Sequence, residues 1–309
     1  MRGLTNDGTY CSINSVVQCL YQTRELQDAI RDVDDRDCSR ASNRVAVMLK
    51  RLIQEMTKDN HLPCNASFLV HAMSAYNGVS YDAQEDSDLV FKCIINALAD
   101  SNGPASKIGT LWDIEKETRV RCLNCNMVQS SLNRSNAISV IIKQNLPDDL
   151  QSYIDQYSDI TLTTCDYHCK ECHTKTQVEI TTRVLSLPPV VCMKIERVQN
   201  IGRDIARIVK TGKRFSFPET LDLKYMKEPT VPVDTVYDLY AVVAHNGTPY
   251  CGHYTAYVRE DGSWYLADDT YFKSCSWEDV KTTYESGTRN GRIAYMLMYR
   301  RNTTNTVQM

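Results

Sequence analysis

Apolar residues in the first hundred positions recur every three to four residues, the spacing that gathers them on one face of a helix. Ile13, Val16, Val17 and Leu20 predict an amphipathic helix that starts near Cys11, after a loop made irregular by Gly3, Asn6 and Gly8. Val45, Met48, Leu49, Leu52, Ile53 and Met56 form a second stripe, with Ser42 as the expected N-cap. Pro63 and Asn65 precede a short helix carrying Phe68, Leu69, Ala72 and Met73. A further helix, over about residues 83–99, is expected to bury Leu89, Val90, Cys93, Ile94, Ala97 and Leu98. The charged stretch 31–37 reads as a solvated loop, and Asn102-Gly103-Pro104 ends the helical part.

From residue 107 the pattern turns to strands. Thr118–Arg121, Thr176–Ile180 and residues 183–197, the last split by Pro188 and Pro189, carry strand-like residues. Leu146–Leu150 opens a short helix with Tyr153, Ile154 and Tyr157, and residues 198–213 read as a loop over one face. Residues 237–245 and 253–259 are strands, and Asp261-Gly262 is a tight turn that returns 263–268 beside the second of them. Ser276 and Asp279 resemble a capping box, 293–299 is a closing strand, and 302–309 reads as a disordered tail. The fold class is α+β, with helices first and an antiparallel sheet after.

Composition narrows the function classes. A net charge of −3 argues against a general nucleic-acid binder, and the longest apolar runs are far too short to span a bilayer. Nothing at the N-terminus reads as a secretory signal. Thirteen cysteines, an odd number without disulfide-like spacing, fit a reducing cytoplasm or nucleus.

Two groups of residues carry chemistry. Cys11 sits at the predicted start of a helix, where the macrodipole favours an anion, and Asn6 offers a side-chain amide to an oxyanion. A lone cysteine is more often structural. The C-terminal half changes that, because the 261–262 turn lays the strands of His253 and Asp268 side by side. Thiol, imidazole and carboxylate then form a possible triad, with Asp269 as the rival carboxylate. His245 and His61 read as ordinary side chains. Gly252 removes bulk where a substrate backbone could pass. The second group is Cys122-x-x-Cys125 and Cys169-x-x-Cys172, which together make a closed four-thiolate structural zinc site. Cys165, His168 and His173 are substitute ligands that break the matched spacing, and redox dithiols are the alternative chemistry.

The stretch Gly3-Leu4-x-Asn6-x-Gly8-x-x-Cys11-x-x-Asn14-Ser15 resembles the cysteine box of the ubiquitin-specific protease family. Gly252-His253-Tyr254 with Trp264 and Asp268-Asp269 resembles its histidine box, and Tyr81–Glu85 the segment between. The likeness runs from residue 3 to about 300. It implies a papain-like hand: a thumb over 3–106, zinc-ribbon fingers over 107–182 and a β palm over 183–301. It also implies that Cys11 attacks, His253 moves the proton, Asp268 orients the imidazole and Asn6 holds the oxyanion. Asp82 and Glu85 would face the modifier's arginine-bearing tail, beside Gly252 and Tyr254; at the start of a helix they would equally serve as caps.

Ser276–Val280 with Thr283-Tyr284 resemble the family's interferon-induced branch. The implied partners are then the interferon-stimulated ubiquitin-like modifier, its conjugates and interferon-receptor signalling components, with the enzyme a monomer. The alternatives are a general deubiquitinase and a non-catalytic scaffold. The chain departs from the family pattern at Asp7, Thr9, Tyr10, Asp86 and Ala267.

Overall fold

The computed structural model describes residues 2–78, 80–142, 145–157, 161–200, 208–226, 234–286 and 291–302. Helix α1 (Cys11–Tyr21) begins where the sequence places it, but all its residues are buried, so it is a central helix and not an amphipathic one. Its polar positions find partners inside. Asn14 Nδ2 donates to the Thr5 carbonyl at 3.1 Å and Gln18 Nε2 to the Arg2 carbonyl at 2.9 Å. They tie the N-terminal segment to the helix, which satisfies both amide nitrogens.

Helix α2 (Arg24–Ile30) buries only Leu26 and Ile30, too few positions to show a period. Helix α3 (Ala41–Met56) buries its predicted stripe, with Met48 only partly covered. Its N-cap is Arg40; Ser42 lies inside the helix, and its hydroxyl donates to the Asp100 carbonyl. In α4 (Ser67–Asn77) and α5 (Ser87–Ala99) the first apolar residue of each expected stripe, Phe68 or Leu89, points outward, 74% and 56% exposed. Helix α5 starts four residues late because Asp86 is its cap, accepting from the Asp88 N–H at 2.8 Å. Helix α6 (Pro104–Gly109), with proline in its first turn, and a 3-10 turn through Trp112 delay the strands beyond residue 107.

Strands β1 (Ile114–Cys122), β2 (Val128–Ser135), β4 (Leu162–His168) and β5 (Lys175–Ser186) form an antiparallel sheet in the order β2-β1-β5-β4. The larger sheet runs β13 (Tyr271–Cys275), β12 (Ser263–Asp268), β11 (Gly252–Glu260), β10 (Val236–Gly247), β14 (Ile293–Arg301), β6 (Val190–Glu196) and β3 (Ile138–Ile141), with β9 (Thr220–Asp222) also on β10. It is antiparallel except for the β3–β6 pair, which is parallel. Where a loop was expected, β7 (Val198–Asn200) and β8 (Ile208–Lys210) pair with each other. The part of that loop over 201–207 and the tail over 303–309 lie outside the described residues.

The larger sheet is covered on both faces. One face joins α1 and α3–α6 in a core that includes Val190, Cys192, Ala241, Val243 and Met296. The other packs α7 (Leu150–Asp155) and Val280 of α8 (Trp277–Lys281) on Leu239, Val242 and Leu297. A sheet buried on both faces explains why 239–244 reads as an unbroken apolar run. The turn after β11 has positive φ at both Asp261 and Gly262, the conformation a two-residue hairpin needs.

Candidate active site

Three elements bring the predicted residues together. Cys11 is the first residue of α1, and α1 packs on β11 and β10. His253 lies at the start of β11 and Asp268 at the end of β12, which the Asp261-Gly262 turn makes neighbours. His253 Nε2 stands 2.6 Å from Asp268 Oδ1. The Cys11 thiol lies in the field of the same imidazole. With Nε2 on the carboxylate, Nδ1 is the nitrogen left for sulfur.

The hydrogen bond that His253 donates to Asp268, and next the Cys11 sulfur, push the imidazole up to about 10, against the cost of its partial burial. Asp268 is held below the usual carboxylate range, first by His253, with Arg292 adding its charge. Arg292 Nη2 donates to Asp268 Oδ2 at 2.6 Å.

The two neighbouring acids divide their work. Asp269 sits at positive φ, and its carboxylate accepts from Asn6 Nδ2 and from Asn14 Nδ2, both at 2.8 Å. Its backbone carbonyl accepts the Leu4 N–H at 2.8 Å. Asn6 Oδ1 in turn accepts the Gly8 and Tyr10 N–H groups at 3.0 and 2.9 Å. The loop that carries Asn6 is thus fastened to the sheet that carries His253.

Other predicted residues lie apart from these or differ in role. Asp82 and Glu85 are not in the first turn of α5. Asp82 is exposed and pairs with the Ser80 hydroxyl. Glu85 lines a cavity of about 130 Å³ with Asp86, Lys210, His245, Gly252 and Tyr254. Gly252 answers a need within the protein itself: a Cβ there would lie 2.2 Å from the Asn246 carbonyl oxygen and 2.3 Å from His245 Nε2. Tyr254 is buried, its ring 4.4 Å from His245 and 5.8 Å from Tyr295. His245 is 7% exposed and its Nδ1 faces Lys210 Nζ at 2.6 Å. Burial, with the Lys210 charge second, pushes it down to about 4, so it is a neutral acceptor.

Four neighbours were given no role from the sequence: Gln84, Asn14, Lys210 and Arg292. Gln84 Oε1 accepts the Gly252 N–H at 2.9 Å and its amide donates to the Gly252 carbonyl, so it closes the thumb-side segment onto β11. Asn14 carried a weak signal, as a polar residue among the apolar positions of α1. Asp86, where the family has an apolar residue, caps α5 and also accepts from the Tyr295 hydroxyl.

At the other end of the molecule, the Sγ atoms of Cys122, Cys125, Cys169 and Cys172 all lie within 4.8 Å of one another. The pairs Cys122–Cys172 and Cys125–Cys169 are 3.9 and 3.6 Å apart. A disulfide needs about 2.05 Å. Thiolates at about 2.3 Å from a tetrahedral ion stand about 3.8 Å apart, so the four fit a metal ion. The Thr174 hydroxyl and then Asn124 draw Cys172 down to about 6, which suits a ligand thiolate. His168 is exposed, His173 turns at positive φ, and the side chain of Cys165 lies outside those described.

A thiol at a helix start, an imidazole behind it and a carboxylate fixing the far ring nitrogen make this a site of the cysteine-hydrolase type. The chain belongs to the ubiquitin carboxyl-terminal hydrolase family, whose model matches residues 2–299. It is 24% identical to Ubl carboxyl-terminal hydrolase 18 of Mus musculus over 96% of this chain and 84% of that protein. It is 25% identical to ubiquitin carboxyl-terminal hydrolase 12 of Salmo salar, over 96% and 88%. To ubiquitin carboxyl-terminal hydrolase 17-like protein C of Mus musculus it is 26% identical, and spans 54% of that protein's length.

Proposed function

We propose that the protein is a cysteine isopeptidase that cuts between the C-terminal glycine of a ubiquitin-type modifier and the lysine amine it is joined to. The observation that carries this reading is the imidazole of His253, held by Asp268 at 2.6 Å, with the Cys11 thiol at the start of α1 in its field. Cys11 Sγ attacks the glycine carbonyl and the Asn6 amide with a backbone N–H receives the oxyanion. His253 then passes its proton to the leaving amine. Water, deprotonated by the same imidazole, hydrolyses the thioester and frees both thiol and modifier. Asn6 has one amide hydrogen on Asp269, which leaves the other to be aimed at the oxyanion.

The modifier we propose is the interferon-stimulated ubiquitin-like one, on the resemblance of residues 276–284; the likeness to a Ubl carboxyl-terminal hydrolase supports the reading. Ubiquitin itself is the second candidate, since other relatives are named ubiquitin hydrolases. Zinc is the ion we propose for the four cysteines, and a reducing compartment, cytoplasm or nucleus, agrees with the twelve cysteines that are free among the described residues. Hydrolysis rates on the two modifiers, each carrying a C-terminal aminocoumarin, decide between them. The proposal expects kcat/KM at least tenfold higher on the interferon-stimulated modifier; equal or reversed rates make the enzyme a general deubiquitinase.

A further inference from the structure

The Asp268 carboxylate has two oxygens, and each meets one partner: Oδ1 meets His253 and Oδ2 meets Arg292, both at 2.6 Å. Arg292 stands directly before β14, so it reaches the carboxylate from beyond β10 and not from the β11–β12 hairpin that carries the other two groups. The side chains of Arg292 and Asp268 are 18% and 25% exposed, well short of a surface ion pair. The Arg292 charge also reaches the Tyr257 hydroxyl on β11, so the guanidinium lies between that ring and the Asp268 carboxylate it bonds. A guanidinium is planar and charged at every relevant pH, which suits it to fixing the plane of a carboxylate.

We propose that Arg292 is a positioning residue for the reaction: it pins Asp268 so that Oδ1 faces His253, and its charge limits how tightly the carboxylate holds the imidazolium. The inference rests on the assignment of Cys11, His253 and Asp268 made above. Released from Arg292, Asp268 would be a partly exposed side chain at a strand end, with other rotamers open to it. His253 would then lose the partner that selects its tautomer. The arginine charge also draws down the Asp268 carboxylate that faces the imidazolium, so the carboxylate holds that proton less tightly and it stays transferable to a leaving amine. The charged and titratable groups facing this carboxylate and imidazole are Cys11 from α1, Tyr257 from β11, Asp269 from the adjoining turn and Arg292. His245 of β10 shares the field of His253.

Three variants separate orientation from charge. Arg292→Gln keeps a donor and loses the charge, Arg292→Lys keeps the charge, and Arg292→Ala loses both. Two readouts need no knowledge of the modifier: the imidazole titration of His253 by NMR, assigned through His253→Asn, and the rate of iodoacetamide alkylation at Cys11, mapped by mass spectrometry. Arg292→Gln should raise the His253 midpoint by up to about one unit, the size of removing one nearby charge. It should move the alkylation profile the same way. With a cleavable modifier, Arg292→Ala should lose tenfold or more in kcat with KM within twofold, and Arg292→Lys should stay within threefold of the parent. An unchanged His253 midpoint in Arg292→Gln overturns the proposal. Arg292→Lys as impaired as Arg292→Ala, with matching losses of melting temperature, overturns it too, because the arginine would then only pack. Failure of the catalytic assignment reads differently: Cys11→Ala would keep its activity, while the His253 midpoint would still respond to residue 292.

Discussion

The catalytic end and the four-stranded sheet hold together by different means. Around Cys11 every position of α1 and the middles of β10, β11 and β14 are buried, and polar groups there bond one another across elements. In the β2-β1-β5-β4 sheet, β2 has no buried residue, and away from the larger sheet only Cys122, Cys169 and Val178 are buried among the described residues. Such a projection cannot draw its stability from apolar area, and the four thiols at its tip are where a metal ion would supply it. The difference teaches that this one chain has an end built by burial and an end whose four clustered thiols could hold it by ligation, and that each should fail to a different insult.

The largest effects are expected where the site has no substitute. Cys11→Ala should abolish hydrolysis. Asp268→Asn should cost about 10⁴ in kcat by the precedent of a triad whose imidazole loses its orienting carboxylate. Steady-state kinetics with circular dichroism as the folding control checks both, and a loss below tenfold in Asp268→Asn would move the carboxylate role elsewhere. Next comes the metal. Chelation, or Cys172→Ser, should abolish protection in β1, β2, β4 and β5 while that of α1 and β10 persists, as read by hydrogen exchange. Loss spreading evenly over both ends would erase the contrast.

Within the buried end, Phe91→Ala should cost about 3–5 kcal/mol, since Phe91 is fully buried with its ring edge-to-face 5.7 Å from Trp112. An exposed position such as Leu132 on β2, 77% exposed, should change the denaturation midpoint little when made serine. The smallest effect is one of pH. His253 is raised to about 10 from 6.5, so its pairing contributes fully below about pH 6.5, weakens as pH rises and is lost above about 10. Asp268 is lowered, so its share is present above the ordinary carboxylate range and is lost as pH falls through its depressed value. The stability gap between the parent and Asp268→Asn should therefore be widest near pH 5–6 and close toward pH 10, as urea titrations across that range would show.

What the sequence revealed follows the same division. The cysteine pairs were legible because ligation demands fixed local spacing, and the β11–β12 hairpin because Asp261-Gly262 allows few other turns. Helix α1 was found but misread, because Asn14 and Gln18 are polar for the sake of backbone groups distant in sequence. The start of α5 was misplaced because Asp86 caps it, and an aspartate among Asp82, Glu85 and Asp88 gives no local sign of which one turns the chain. Gly252 was assigned to a substrate when its own neighbour His245 already requires it. Arg292 left no trace at all: it lies 24 residues from Asp268, before a strand it does not pattern with, and only the folded sheet brings the two together.

The measurement that bears most directly on the account is covalent capture by a modifier carrying a C-terminal electrophile, followed by mass-spectrometric mapping of which of the thirteen cysteines is joined to it. The account predicts capture at Cys11 alone, slowed in Asp268→Asn and absent in Cys11→Ala. Capture at another thiol, such as the exposed Cys251, or no capture by either the ubiquitin or the interferon-stimulated probe, would contradict it.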